Sequence, residues 1–365
     1  MSDPTRSLTL RRDYAAAATR RFRLVSAAIR DGVGKADALG IGESPPSRPV
    51  LLQAEDPEVR RVLNALRKQI EEIQIRAGEL SDGSPAQVKL LAQATDLARQ
   101  FLSTPGRFNF PSSAAKVQAM GGWLDQMEGV SVLEIIRDSS GNIASEGGWQ
   151  RIYVQRAYVK GFSHADIELR KAGVDVNPRY DDVQRTLSLP IHQKSLDLLI
   201  ARNLSELDGV SKAAGLRIRR DLAEGLARGQ HPFEMARTLT DDVSNIGIHR
   251  ARLIARTEII RAHAEASLNR YKEFGVDAVK GEVEFATAGD DQVCPICASL
   301  DGEVFSLKDA EGVIPVHPNC RCAWLPAVDL SSKVEAALSR NADRVLELRR
   351  HAEEQWPAWY RELAA

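Results

Sequence analysis

The stretch HPNCRC, residues 317–322, places one histidine and two cysteines within six positions. Upstream, the stretch VCPIC carries Cys294 and Cys297, with two residues between them. All four cysteines of the 365-residue chain therefore lie within 29 positions. Because the rest of the chain contains no cysteine, this clustering indicates a shared chemical role.

The cluster has the composition of a tetrahedral metal site. A Cys-x2-Cys turn directs two thiolates to the same side, and zinc is the cation that cysteine and histidine bind in this way. The candidate ligands are Cys294, Cys297, His317, Cys320 and Cys322. Five candidates compete for four places, and the preferred set is Cys294, Cys297 and Cys320 with either His317 or Cys322. Only a bent backbone would let both Cys320 and Cys322 contribute.

We predict that this zinc is structural. A catalytic zinc keeps one position open and has a general base beside it, whereas these ligands are mostly thiols between short hairpins. The alternatives are a disulfide or free thiols, and a catalytic metal. A reducing cytosol favours the metal over disulfides. Asp290 and Asp291, just before the first pair, are more typical of a turn than of ligands.

The overall composition indicates a mainly helical, soluble protein of two or three domains. Hydrophobic residues make up 43% of the chain and charged residues 27%, which is enough for a core and a solvated surface. The net charge of −1 favours neither nucleic acid nor a membrane as a partner. Arginines interrupt the apolar stretches where a signal peptide would lie. We expect synthesis in a cytoplasm and no membrane contact.

The N-terminal region is locally basic. Between residues 6 and 35, eight basic residues stand against Asp13 and Asp31, which indicates a basic arm or a basic helix. The basic residues are Arg6, Arg11, Arg12, Arg20, Arg21, Arg23, Arg30 and Lys35. Such a face is either simply solvated or in contact with DNA phosphates or an acidic protein surface.

Helical periodicity and chain breaks predict five segments. These are a basic arm with a proline-rich linker (1–50), a helical domain (51–145), a second helical domain (146–245), a domain with the cysteine and histidine cluster (246–328) and a C-terminal helix (329–365). The fold class is therefore α+β: mostly helical, with a small zinc-stapled C-terminal domain of short antiparallel strands.

Local signals predict several helix ends. Ser84 followed by Pro85 is typical of a helix start, and Gly229 is typical of a helix end just before Pro232 opens the next helix. The longest clear pattern runs from about residue 249 to 274, where we expect Gly275 to stop the helix.

The pattern changes to period two after this helix. Glu282 and Glu284 alternate with Val283 and Phe285, which predicts a strand with one solvated face. The Asp-Gly pair at 301–302 predicts a tight turn into a second strand, and CRCAWLPA predicts a third. The cysteines are thus expected in loops at the ends of short strands.

Four motifs follow one another towards the C-terminus. They are Arg-Thr-Glu at 256–258, an Asp-Asp turn leading to Cys-Pro-x-Cys at 290–297, Leu-Asp-Gly at 300–302, and His-Pro-x-Cys-Arg-Cys-x-x-x-Pro at 317–326. This order resembles the C-terminal domain of the phage Mu F-like head morphogenesis proteins, the minor head proteins of tailed phages and prophages. The resemblance extends over about residues 150 to 326.

The resemblance implies a virion component in few copies, inside the capsid near the portal, that acts in head morphogenesis and in DNA packaging or ejection without catalysis. Its expected partners are the portal protein and a capsid or scaffolding protein. The basic arm is a candidate for non-specific contact with phage DNA. One departure is His263, where the family leads us to expect a small residue or an amide.

Two other functions compete with this interpretation. The stretch HPNC has the histidine and asparagine that some metal-dependent nucleases use, but His317 is the one histidine in the cluster and competes for the metal itself. A zinc-bearing DNA-binding protein would need a basic module. Residues 282–311 instead carry eight acidic side chains against Lys308.

Overall fold

The computed structural model describes residues 3–42, 57–80, 84–133, 148–176, 185, 187–279 and 282–327. This described part is mostly helical and ends in a small antiparallel sheet, which confirms the predicted α+β class. The predicted C-terminal helix lies outside the described residues, as does most of the proline-rich linker.

Helices account for most of the described chain. Their bounds are α1 (Leu8–Ile29), α2 (Pro57–Gly78), α3 (Pro85–Leu102), α4 (Ser113–Met127), α5 (Arg151–Lys171), α6 (Pro190–Ala227), α7 (Pro232–Asp242), α8 (His249–Val279) and α9 (Pro295–Leu300). The basic N-terminal region forms α1, and its apolar face, including Tyr14, Phe22 and Ile29, is buried. Of the two predicted forms, a basic arm or a basic helix, the N-terminal region is therefore a basic helix.

Three π-helical turns extend or join these helices. Arg30–Lys35 continues α1, Glu128–Leu133 continues α4, and Val243–Ile248 joins α7 to α8. A π turn inserts one extra residue into the helical ladder and frequently lies at a functional site. Nothing in the sequence periodicity predicts these turns.

Several predicted helix ends are confirmed. Ser84, immediately before Pro85, is the N-terminal cap of α3. Its hydroxyl accepts a hydrogen bond from the backbone N–H of Gln87, which has no partner within the first turn of the helix. Gly229 has a φ of +67°, the left-handed conformation that ends a helix. Pro232 then opens α7.

The predicted end of α8 is wrong. The helix continues through Gly275 to Val279. A glycine inside a helix costs only about 1 kcal/mol relative to alanine, so the packing of a long helix overrides this local signal.

The sheet has the order β2-β1-β3, with β1 (Glu282–Ala286), β2 (Val304–Ser306) and β3 (Ala323–Pro326) all antiparallel to their neighbours. In the register, Val283 lies opposite Phe305 and Phe285 lies opposite Trp324. All four side chains are buried, so one face of the sheet forms the core of the module.

The expected solvated face of β1 is wrong for Glu282, which is only 6% exposed, while Glu284 is half-buried. The physical reason is position: β1 is the central strand, so neighbours cover it on both edges.

The chain forms two compact units, each assembled from separate segments. One comprises residues 1–15, 150–206 and 253–365, and the other residues 16–149 and 207–252. The domain boundaries drawn from the sequence stay predictions. Within the described residues, none of the helices is long and apolar enough to cross a membrane.

Helices α5 and α8 cross at a glycine inside the first unit. A methyl group at Gly161 would lie 2.2 Å from the carbonyl oxygen of His263, so only glycine permits this approach. The Ser267 hydroxyl donates to the Gly161 carbonyl oxygen at 3.0 Å across the same crossing. His263 itself is fully buried, and burial lowers its pKa to about 3, so it is a neutral packing residue.

We predict that Gly161→Ala destabilises the protein by about 2 kcal/mol, because the added methyl forces two backbones apart. The measurement is the free energy of unfolding in denaturant. Gly129→Ala is the control, since nothing lies within 4 Å of its added methyl. Equal stability of the two variants would show that α5 and α8 are not in close contact.

Candidate metal centre

The first pair of thiols lies at the start of α9. Cys294 is the N-terminal capping residue, and its sulfur accepts a hydrogen bond from the backbone N–H of Cys297 at 3.3 Å. Pro295 occupies the first helical position, where its missing N–H costs nothing. This turn is a short helix rather than the expected loop, and it holds both sulfurs on the same side.

His317 faces these two sulfurs. Its Nε2 atom lies 3.1 Å from the sulfur of Cys294 and 3.2 Å from that of Cys297. Its Nδ1 lies 2.8 Å from the carbonyl oxygen of Pro318, to which it donates its proton. The tautomer with Nδ1 protonated leaves the Nε2 lone pair directed at the thiols, which is the arrangement of most histidines that bind metals.

The second pair of thiols completes the cluster. Cys320 and Cys322 are buried immediately before β3, and their sulfurs lie within 4.8 Å of the sulfur of Cys297. Cys294, Cys297 and His317 form a second group of the same size, so Cys297 belongs to both. All five predicted residues therefore come together, and all four thiols are free rather than paired in disulfides.

The donor atoms of the cluster suit a bound cation. Hydrogen bonds to Cys320 and Cys322, together with burial, raise the pKa of the Cys297 thiol. Several buried thiols compete for protons here, and a divalent cation would replace those protons and stabilise the thiolates. Three sulfurs and one imidazole nitrogen are the donor set typical of structural zinc.

Asp290 pairs with Arg321, the residue between Cys320 and Cys322. Its two carboxylate oxygens accept from Arg321 Nη1 and Nη2, both at 2.6 Å, and the guanidinium lowers the pKa of this carboxyl. Asp290 also accepts the backbone N–H of Gln292. This carboxylate therefore takes part in a turn, as the sequence predicted, and in an ion pair with Arg321.

The Arg-Thr-Glu motif supports the cluster from helix α8. The Thr257 hydroxyl accepts the backbone N–H of Asn319 at 3.2 Å and donates to the Leu253 carbonyl oxygen. Asn319 has a φ of +65°, so its backbone turns sharply between His317 and Cys320. This one threonine thus fixes the loop that carries three of the five candidate ligands.

An aromatic core lies behind the cluster. The Trp324 ring meets the rings of Phe285 and Phe305 edge to face, with centroids 5.6 and 5.3 Å apart. Tyr271 of α8 donates its hydroxyl to the Trp324 carbonyl oxygen at 3.1 Å. The sheet, α8 and the cysteines consequently form one buried group.

The comparison with protein families agrees with this architecture. Residues 216–325 match the family of phage Mu protein F like proteins. The match confirms the resemblance drawn from the motifs, although it begins at residue 216 rather than near 150, and it indicates a phage head morphogenesis protein. No curated protein and no solved structure matches the chain. The Mu F-like segment thus contains every candidate ligand.

A buried polar network in the first unit was missed by the sequence analysis. Glu273 lies 2.6 Å from His192 Nε2, and His192 Nδ1 lies 2.8 Å from the Tyr158 hydroxyl. Asn269 donates to that same hydroxyl. The order carboxylate, imidazole, hydroxyl is that of a catalytic triad. Tyr158 and His192 are each 1% exposed, and the network links α5, α6 and α8 inside the unit.

Two buried glutamates meet near the Arg-Thr-Glu motif. Glu206 and Glu258 are each 1% exposed. Arg202 lies 3.0 Å from Glu206, and Arg261 lies 3.0 Å from Glu258. Burial, and next the charge of Glu258, raise the pKa of Glu206 to about 8 from its ordinary 4.5.

We predict that Glu206→Gln stabilises the protein more at pH 8 than at pH 5, by on the order of 2 kcal/mol. The folded state keeps a proton on Glu206 that the unfolded chain releases above pH 4.5, so this group costs stability as pH rises from about 4.5 to about 8. The measurement is the free energy of unfolding against pH. Glu224→Gln, which makes the same chemical change at an exposed position on the same helix, serves as the control.

We predict about one zinc ion per chain in protein purified without added metal, with thiols that react only after a chelator is added. Cys294→Ser, Cys297→Ser and His317→Ala should each lower zinc affinity more than about tenfold, because each removes a ligand. Mass spectrometry and a free-thiol assay give the readouts.

Whichever of Cys320→Ser and Cys322→Ser loses more zinc identifies the fourth ligand. Ser299→Ala, an exposed change in α9, is the matched control. Four reactive thiols and no metal in the unmodified chain would contradict the zinc site.

Proposed function

We propose that this protein is a minor head protein of a tailed phage or prophage, with a C-terminal module held together by a structural zinc ion. The observation that carries the proposal is the family match over residues 216–325, which spans the whole cysteine and histidine cluster. Two of the motifs in that segment also have a physical task in the module. Thr257 holds the ligand loop, and Arg321 pairs with Asp290 beside it.

Zinc would be held by Cys294, Cys297, His317 and one of Cys320 and Cys322. Bound there, it supplies a cross-link between the start of α9 and the loop before β3, and its positive charge stabilises the thiolates. Such a cross-link suits a sheet whose strands have five, three and four residues, since short strands need a further source of stability.

We propose that the protein has no catalytic activity. A metal-dependent nuclease needs a histidine free to act as general base. Both ring nitrogens of His317 are already engaged, Nε2 by the thiols and Nδ1 by the Pro318 carbonyl. The acidic side chains around the cluster also disfavour a zinc module that reads DNA.

The proposed location is the capsid interior near the portal, with roles in head assembly and in DNA packaging or ejection. The portal protein and a capsid or scaffolding protein are the proposed partners, and phage DNA is the proposed non-specific partner of the basic helix α1. Exposed arginines on α1, among them Arg12, Arg20 and Arg23, support the last of these.

Quantitative mass spectrometry of purified particles tests the proposal. After induction of the phage or prophage that encodes the chain, we expect it in procapsids and virions at a few copies relative to the major capsid protein. In a deletion complemented by Cys297→Ser, the chain should be lost from particles, because the module without its ligand loses stability.

Complementation by Ser299→Ala is the control and should restore the copy number. Absence of the unmodified chain from both procapsids and virions would refute the proposal. Incorporation of Cys297→Ser at the normal level would leave a head protein but remove the role of the metal.

A further inference from the structure

The second unit contains a polar cleft of about 660 Å³ that the sequence analysis did not anticipate. Helix α1 and the π turn after it supply one wall, and the continuous run of α7, the π turn Val243–Ile248 and α8 supplies the other. Among the described residues that line it, Ile248 is the one aliphatic side chain. The cleft is therefore built for a polar ligand.

Two glycines of the π turns lie close to side chains of the opposite wall. A methyl group on Gly247 would lie 2.4 Å from Phe22 Cδ1, and one on Gly34 would lie 3.1 Å from the Ala236 methyl carbon. Each contact joins one of the π turns to the opposite wall. The two walls are therefore packed against each other beside the cleft.

The lining carries an excess of positive charge. Arg23, Arg30 and Arg252 contribute guanidinium groups, whereas Asp241 contributes the one carboxylate among the described lining residues. The Nε–H of Arg252 donates a hydrogen bond to the Thr19 hydroxyl at 2.8 Å, and this bond orients the remaining N–H groups of the guanidinium. Arg23 and Arg30 are exposed and make no ion pair within the described residues. Their charge is therefore available to a ligand.

A neutral hydroxyl also points to a polar ligand. The Ser26 Oγ atom lines the cleft, is buried, and has no hydrogen-bond partner within the described part of the chain. An unpaired buried hydroxyl costs free energy that a bound acceptor or donor would recover. Asn245 on the opposite wall adds an amide.

We infer that this cleft is a phosphate-binding site. Guanidinium groups bind phosphate through two parallel hydrogen bonds, and three of them around one cleft match a group with several acceptor oxygens. An acidic peptide fits less well, because its apolar side chains would need an apolar surface and Ile248 is the one aliphatic lining residue among those described. The phosphate belongs either to a DNA backbone or to a free oligophosphate. Binding of a DNA backbone phosphate rests on the proposed function, whereas binding of a free oligophosphate does not.

Binding of two phosphate probes to the full chain tests the site. One probe is a fluorescent duplex of about 20 base pairs and mixed sequence, measured by anisotropy over a series of NaCl concentrations. The other is inorganic triphosphate, measured by calorimetry. The variant is Arg23→Gln/Arg30→Gln, and the matched control is Arg99→Gln/Arg237→Gln, which removes the same charge from exposed positions on α3 and α7 outside the cleft.

We expect the cleft variant to bind at least one probe about tenfold more weakly than the control, with unchanged unfolding temperature. For the duplex, the slope of log affinity against log salt should fall by about 1 to 2, since roughly 0.9 is lost per phosphate contact. Weaker binding of the duplex by the cleft variant assigns the site to nucleic acid. Weaker binding of triphosphate alone assigns it to free phosphate compounds.

Equal weakening by both double variants would refute the site, because it would show a diffuse basic field. No binding of either probe by the unmodified chain would refute it as well. The particle experiment above does not depend on these residues, so either proposal can fail while the other stands.

Discussion

The sulfur of Cys297 joins the two groups of candidate ligands in the C-terminal module. It lies within reach of Cys294 and His317 on one side and of Cys320 and Cys322 on the other. These residues come from two segments about twenty positions apart, so a cation bound there closes a loop that includes β2. Such a closed loop would add stability to a sheet of very short strands, whose backbone hydrogen bonds and aromatic core alone give little.

Helix α8 is the rigid support for this module. Thr257 holds the ligand loop through Asn319, and Tyr271 holds β3 through the Trp324 carbonyl. The same helix packs on α5 at Gly161 and takes part in the buried network of Glu273 and His192. These polar groups of α8 thus serve structure.

The family match and the cleft describe two different parts of the chain. The metal centre lies in the first unit, where every candidate ligand belongs to the Mu F-like segment. The basic cleft lies in the second unit, and one of its walls comes from α1, outside the matched residues. The two sites have opposite local charge, since residues 282–311 around the candidate ligands are acidic and the cleft is lined by three arginines.

The fold class, the helix starts at Pro85 and Pro232, and the five candidate ligands all follow from the order of residues along the chain. Caps such as Ser84 and turns such as the one at Gly229 act within a few residues, so local rules describe them. Tertiary structure alone decided which histidine nitrogen faces the thiols, that Glu206 meets Glu258, and that α1 and the π turn beyond α7 enclose one cleft. Those arrangements join segments far apart in the chain. Packing of whole helices brings them together, and no local periodicity encodes that packing.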